Sequence, residues 1–194
     1  MKLRLPVFIL CCSLILAACK TEKECPAFDM ADFAEFPYQQ PDTLVFKNIT
    51  DDTFSIIIRE IVLSEVYTID CSEPKKICPC LNSVEAMATV NQSSTRFRFL
   101  QMEQSDVSDM QYFRYNVKGF EFEFDFRNEL PYINQIPYAH AVGDLIIGDT
   151  TYKEVVVINN EDTNSNISQV FFNKESGLLK FKEKNPEQIW SIQK

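Results

Sequence analysis

The cysteines are the side chains of this sequence with the widest range of chemistry. Cys71, Cys78 and Cys80 lie close together, the last two on either side of a proline, and Cys25 stands alone well before them. Clustered thiolates bind zinc or carry out redox reactions in a reducing compartment, whereas in an exported protein they pair as disulfides. The compartment therefore decides which chemistry these residues perform.

The N-terminus combines a short basic start with an apolar stretch. Lys2 and Arg4 supply the positive charges, and the stretch from Leu5 to Ala18 contains no acidic residue. It is about 14 residues long, whereas a helix needs about 20 residues to cross a bilayer. This is the pattern of a signal peptide, so we predict that residues 1–18 are removed.

Cys19 directly follows small residues, in the run Leu16-Ala17-Ala18-Cys19. The run looks like a lipobox, in which the thiol is acylated and a dedicated peptidase then cuts before the cysteine. We therefore predict a bacterial lipoprotein whose Cys19 carries acyl chains such as palmitate. Two or three chains hold a protein firmly on a membrane, where one does not. The residue that follows Cys19 is Lys20. A lysine rather than an aspartate at this position favours attachment to the outer membrane of the cell envelope, at its periplasmic face or at the cell surface.

Export makes disulfides the expected state of the remaining cysteines. Cys78 and Cys80 are separated by one residue and would close a strained ring together, so we expect two disulfides that avoid this pair. Two connectivities remain open: Cys71–Cys78 with Cys25–Cys80, or Cys71–Cys80 with Cys25–Cys78. Each bridge would stabilise the fold by about 2–4 kcal/mol by restricting the unfolded chain.

The mature chain is acidic and long enough for one domain. Its net charge moves from −9 to −11 because the signal peptide carries two basic residues and no acidic one. Such a surface repels nucleic acid and anionic lipid. We therefore expect no nucleic-acid partner, membrane attachment through the acyl chains alone, and an envelope protein or a glycan as the partner. Residues 19–26 are predicted to be a lipidated tether, and residues 27–194 a single domain.

Catalytic patterns are scarce in this sequence. His140 is the sole histidine, and the nucleophile elbow, the zinc-protease motif, the phosphate loop and the dinucleotide fingerprint are all missing. Glu121, Glu123 and Asp125 alternate along a predicted strand about 6.7 Å apart, so they reach one cation only by converging strongly. We predict a protein that is not an enzyme and has no metal and no cofactor. A hydrolase with two paired carboxylates is our third hypothesis.

Apolar and polar residues alternate with a period of two through most of the chain. The segments 43–46 and 54–58 are typical of strands, 29–36 predicts one short helix, and 82–90 fits either a helix or a strand. No long segment has the apolar stripe of a helix. We therefore predict an all-β, mainly antiparallel domain, a β-sandwich or an open half-barrel with at most one or two short helices.

The centre of the sequence predicts a β-hairpin of defined register. A two-residue loop at Lys118-Gly119 places Val117 opposite Phe120 and Arg114 opposite Glu123. Large apolar side chains then share one face of the hairpin and charged side chains the other. A slip of one residue would break both patterns, so the register is well determined.

The hairpin places a row of aromatic side chains on its apolar face. The row consists of Phe120, Phe122, Phe124 and Phe126. These rings either belong to the core or line an apolar ligand site inside a half-barrel.

The C-terminal third resembles a known group of proteins. Gly148 and Tyr152 lie in the segment 144–157, Phe-Phe-Asn-Lys-Glu-Ser-Gly-Leu-Leu-Lys-Phe lies in 170–181, and Trp190 follows near the end. This order is similar to the ending of small envelope lipoproteins of the Bacteroidetes group. The resemblance implies two C-terminal hairpins and an envelope address, and it brings no active site with it.

These observations predict an exported, lipid-anchored cell-envelope protein with a non-catalytic binding or assembly role. The alternative is a carrier that holds a small lipid or glycan in a half-barrel. A carrier needs a cavity, and the 16 phenylalanines supply enough apolar surface either to line one or to fill an ordinary core.

The cysteine assignment predicts a mass difference. The exported protein without reductant should be lighter than the reduced protein by four hydrogen atoms, because two disulfides form among Cys25, Cys71, Cys78 and Cys80. Intact-mass spectrometry before and after reduction checks this. Four thiols that react with an alkylating agent without reduction, or one bound zinc ion per chain, would contradict the assignment.

Overall fold

The computed structural model describes residues 25, 30–64, 67–68, 80–105, 111–125, 130–132 and 139–193. A short 3-10 helical turn, Met30–Phe33, comes first in this part of the chain and lies inside the predicted helix. It is followed by thirteen strands: β1 Thr43–Lys47, β2 Thr53–Leu63, β3 Tyr67–Thr68, β4 Cys80–Val90, β5 Phe97–Ser105, β6 Gln111–Val117, β7 Phe120–Asp125, β8 Leu130–Tyr132, β9 Ala139–Ile147, β10 Thr150–Asn159, β11 Ile167–Asn173, β12 Gly177–Lys184 and β13 Glu187–Gln193.

The signal peptide, Cys19, Cys71, Cys78 and Phe126 lie outside the described residues. The predictions made for them are therefore not tested by the structure.

All strands of the described chain belong to one antiparallel sheet, which confirms the predicted fold class. Its order is β8-β7-β6-β5-β4-β2-β1-β13-β12-β11-β10-β9, and β3 pairs with β4 beside this path. The first and the last strands, β1 and β13, are neighbours in the middle of the sheet. Two meanders extend outward from this central pair, one formed by β2 to β8 and the other by β12 to β9.

The sheet curls into a half-barrel. Twelve strands in a flat row would separate the edge strands by about 50 Å at the usual spacing. The edge strands β8 and β9 are joined by six residues, 133–138, which reach across at most about 25 Å. The sheet therefore bends until its two edges approach each other. Of the two predicted architectures, the half-barrel is the one that forms.

The inner face of the half-barrel holds the main core. Phe172 on β11 lies 5.4 Å from Phe122 and 5.0 Å from Phe124, measured between ring centroids, and both partners belong to β7. It also lies 5.6 Å from Tyr115 on β6. The two halves of the sheet therefore pack against each other through aromatic rings, and Trp190 of β13, 7% exposed, belongs to the same core.

The central hairpin has the predicted register. Val117 pairs with Phe120 and Arg114 with Glu123. Lys118 and Gly119 have φ angles of 51° and 83°, as a type I′ loop requires at both of its central positions. The Arg114 Nε–H donates to Glu123 Oε1 over 2.6 Å, so the expected cross-strand pair is present.

The segment 82–90, which fitted a helix or a strand, is strand. It forms most of β4, which pairs with β2 on one side and β5 on the other. Asn82 and Ser83 are both buried although they point to opposite faces, so this central strand is covered on both sides. A strand covered in this way loses the alternation that identifies a half-exposed strand.

A second apolar cluster lies on the outer face of the sheet. Val155 and Val157 of β10 belong to it, whereas Ile158 belongs to the main core. The pairing of β9 with β10 shifts register between Tyr152 and Val156, and Gly143 has a φ of 77° there. Such bulges bend a strand pair. The tip of the β9–β10 hairpin consequently packs against the outer face of β12 and β13.

Gly177 forms the turn between β11 and β12, as its place in the sequence predicts. Its φ is 68°, a value that side chains with a Cβ rarely adopt. The Tyr38 hydroxyl lies directly against its Cα, where a Cβ would overlap it, and accepts a hydrogen bond from the Leu178 N–H over 2.7 Å. Burial raises the pKa of Tyr38 well above its usual value, so the hydroxyl stays protonated.

The two faces of the central hairpin predict different losses of stability when a side chain is truncated to alanine. Phe122→Ala should lower the free energy of unfolding by about 3–5 kcal/mol, because it removes a ring that is 2% exposed and leaves a cavity. Glu123→Ala should cost well under about 1 kcal/mol, because its ion pair is half exposed. Urea unfolding of both variants with disulfides intact measures the difference. Unchanged stability in Phe122→Ala would remove this ring from the core and favour a ligand face.

Candidate binding surfaces

The N-terminal cysteine of the domain is bonded to the sheet. Cys25 forms a disulfide with Cys80, the first residue of β4, with 5.6 Å between their Cα atoms. This pair belongs to the predicted connectivity that joins Cys71 to Cys78, two residues outside the described chain. The disulfide attaches the segment that precedes the domain to one end of the central strands.

The predicted aromatic row is packed with protein side chains in the described part of the chain. Phe120, Phe122 and Phe124 are 5%, 2% and 2% exposed. Besides the contacts with Phe172, the ring of Phe122 stacks on Tyr115 with centroids 5.3 Å apart. Their use as an apolar ligand face stays a prediction, and the contacts present in the structure are those of a core.

Two buried amide side chains lie on the inner face near the disulfide. Asn82 of β4 is 1% exposed and is the cross-strand partner of Gln104 on β5. The Asn82 Nδ2 and Oδ1 atoms and the Gln104 Oε1 atom have no hydrogen-bond partner among the described residues. Buried amides without a protein partner usually bind ordered water.

Glu121 and Glu123 of the acidic row lie on the outer face of β7, where Glu123 pairs with Arg114 and Glu121 accepts a hydrogen bond from the Asn116 amide. A cleft of about 150 Å³ is lined by Glu103, Tyr112, Glu123 and their neighbours Gln101 and Arg114. Arg114 donates to Glu123 and to Gln101 Oε1, so its guanidinium bridges the cleft. Among the described residues, no three His, Cys, Asp or Glu side chains are grouped to hold a metal ion.

His140, the sole histidine, lies on β9 opposite Val157 of β10. That the chain is not an enzyme stays a prediction.

A lysine in the loop of the central hairpin connects this hairpin to the C-terminal strands, where it pairs with a buried carboxylate. Lys118 Nζ lies 2.7 Å from Glu183 Oε1 and 4.5 Å from the ring centroid of Phe54. Trp190 Nε1–H donates to Glu183 Oε2 over 2.6 Å, and Lys118 Nζ lies 5.3 Å from the Trp190 ring. Glu183 is 7% exposed. Its two oxygens are thus satisfied by one cation and one indole, and the hairpin loop is held against β12 and β13.

Sequence analysis did not identify this lysine contact. Lys118 lies in the position of an ordinary hairpin loop, and Glu183 follows it by 65 residues. One part of the contact could have been read from the sequence. The spacing of Glu183 and Trp190 puts them on the same face of the β12–β13 hairpin.

An open groove lies on the outer face, beneath the tip of the β9–β10 hairpin. Its volume is about 310 Å³. One rim is formed by Ile146 and Ile147, the opposite rim by Ile49 in the β1–β2 turn, and the floor by residues of β12 and β13 that include Lys180 and Ile189. Because these residues come from four separate segments, no local motif in the sequence indicates the groove.

No known protein family, no curated protein and no solved structure matches this chain. The resemblance of its C-terminal third to Bacteroidetes lipoproteins therefore stays a prediction. In the described part of the chain, helices of the length and apolarity that a membrane crossing requires do not occur.

The Lys118 contact predicts a difference between two lysine variants. Lys118→Met should lower the free energy of unfolding by about 3 kcal/mol, because it leaves the buried Glu183 carboxylate without its cation. Lys174→Met is the matched control, since Lys174 pairs with Glu35 at a half-exposed site and should cost less than about 1 kcal/mol. Urea unfolding compares them.

Adding Glu183→Gln to Lys118→Met tests the cause of that loss. The neutral amide still accepts from the Trp190 indole, so the double variant should recover part of the stability. Equal costs for the two single lysine variants would refute a role for Lys118 in closing the half-barrel.

Proposed function

We propose that this chain is an exported, lipid-anchored protein of the cell envelope with a non-catalytic binding role. The observation that supports export most directly is the disulfide between Cys25 and Cys80, since such bonds persist in oxidising compartments. The signal-peptide and lipobox patterns of the first nineteen residues agree with it. In this proposal Cys19 carries the acyl chains and the outer membrane is the site of attachment.

The disulfide also determines which end of the domain faces the membrane in this proposal. Five residues, 20–24, lie between Cys19 and Cys25, so the two Cα atoms are at most six residue steps or about 22 Å apart. Cys25 is bonded to Cys80 at one end of β4, so that end is held near the lipid surface. Val90 ends β4 about 33 Å farther on, beside Ile56 and close to the β1–β2 turn. The turn therefore points away from the membrane.

The binding role rests on the outer groove rather than on the inner face. Aromatic side chains from both halves of the sheet fill the inner face in the described residues. The groove is open to solvent and has the β1–β2 turn as one rim, at the end of the domain that faces away from the membrane. This arrangement presents a binding surface to the surrounding compartment while the acyl chains hold the protein in place.

Acylation of Cys19 is the step that tests the proposal. In cells grown with labelled palmitate, Cys19→Ala should lose the label and accumulate as a precursor, because the acceptor thiol is removed. Cys12→Ala is the matched control: this residue lies in the predicted signal peptide, and its loss should leave labelling and membrane fractionation unchanged. Label that persists in Cys19→Ala would refute the lipobox assignment.

A further inference from the structure

The most exposed apolar side chains of the described chain meet at one place. Ile49 is 91% exposed and Ile146 is 70% exposed, whereas the other exposed large hydrophobic side chains range from 36% to 45%. Both isoleucines line the outer groove, together with Ile147 and Ile189. Apolar surface concentrated in this way marks a site where something binds.

The groove also contains positive charge without a protein counter-ion. Lys180 on its floor makes no ion pair with the described residues, and its Nζ lies 5.2 Å above the ring of Phe171. Lys182 follows two residues later on the same face, 5.8 Å from the same ring, and is likewise unpaired. Lys47, by contrast, is neutralised by Asp51 over 2.8 Å. Partial burial and the charge of Lys182 lower the pKa of Lys180, and an anion placed there would offset the repulsion between the two lysines.

The size and chemistry of the groove together limit its ligand. A volume of about 310 Å³ is at the lower end for small-molecule sites, and it suits a single short hydrocarbon chain better than a bilayer or a folded partner. Ser191 and Gln193 add polar groups on the floor beside Lys180. The ligand therefore combines an apolar chain, which contacts the isoleucines, with one acidic head group.

We propose that the outer groove binds a single-chain fatty carboxylate, with the carboxylate at Lys180 and the hydrocarbon chain between Ile49 and Ile146. The inference rests on the proposed binding role and specifies its ligand. The lipid bilayer itself is a poor occupant, because the proposed anchor holds the opposite end of β4 at the membrane.

Octanoate is the probe, because it is water-soluble and short enough for the groove. The full chain on phosphatidylcholine nanodiscs should bind octanoate in saturation-transfer NMR above the level of empty nanodiscs. Octanol has the same chain without the charge and should bind at least about tenfold more weakly, because a charge-assisted hydrogen bond contributes about that factor.

Variants of groove residues test where the carboxylate and the hydrocarbon chain of the ligand bind. Lys180→Met should weaken octanoate about tenfold and leave octanol unchanged, whereas Ile146→Ser should weaken both. Lys174→Met and Val142→Ser are the matched controls, a lysine and an exposed apolar residue outside the groove lining, and both should bind as the wild type does. Ile146 is mostly exposed, so its replacement leaves the core intact.

Several outcomes would overturn the inference. They are absence of octanoate binding, equal binding of octanoate and octanol, and an affinity that Lys180→Met does not change. Octanoate binding that disappears when the nanodiscs contain anionic phosphatidylglycerol would show a membrane-docking face instead. Dimers that Ile49→Ser dissociates would show that a second copy covers the groove. Palmitate labelling tests the anchor separately, so either proposal can fail while the other stands.

Discussion

The contact of Phe172 with the rings of the central hairpin is the interaction on which the architecture depends. In the order of the sheet, β11 and β6 are separated by six other strands, and they meet because the sheet curls until Phe172 reaches Tyr115 and Phe122. The Lys118–Glu183 pair joins the same two halves a few residues away. Each such contact buries a large aromatic area, and together they keep an open sheet from flattening. The inner face is consequently occupied by the protein's own side chains.

A filled inner face moves the binding surface to the outside of the sheet. The bulges of the β9–β10 pair bend its tip over β12 and β13, and the space left beneath the tip is the outer groove. The same feature therefore builds a second apolar cluster and leaves exposed isoleucines at its margin. With the Cys25–Cys80 disulfide at the far end of β4, the proposed anchor and the outer groove lie at opposite ends of one sheet.

Local patterns predicted the parts of the fold in which neighbours in sequence are neighbours in space. The hairpin around Lys118-Gly119 was predicted in full, because its loop and its period-two alternation specify one register. The segment 82–90 stayed ambiguous because a strand covered on both faces has no alternation. The groove and the Lys118–Glu183 pair were missed for a different reason: their residues come from distant strands, and only the curl of the sheet and the bend of β9–β10 bring them together.

The central position of the β1–β13 pair has a consequence for the order of folding. Phe46 pairs with Ile192, two residues near opposite ends of the domain, so the middle of the sheet forms only after almost the whole chain is present. Each meander can pair its own neighbours earlier, but closing so long a loop is slow. A chain that crosses a membrane N-terminus first would therefore carry β1 with one edge unpaired until its last strand emerges, and unpaired edges invite aggregation. If the chain is exported as proposed, it would need protection during transit until the release of Glu187–Gln193.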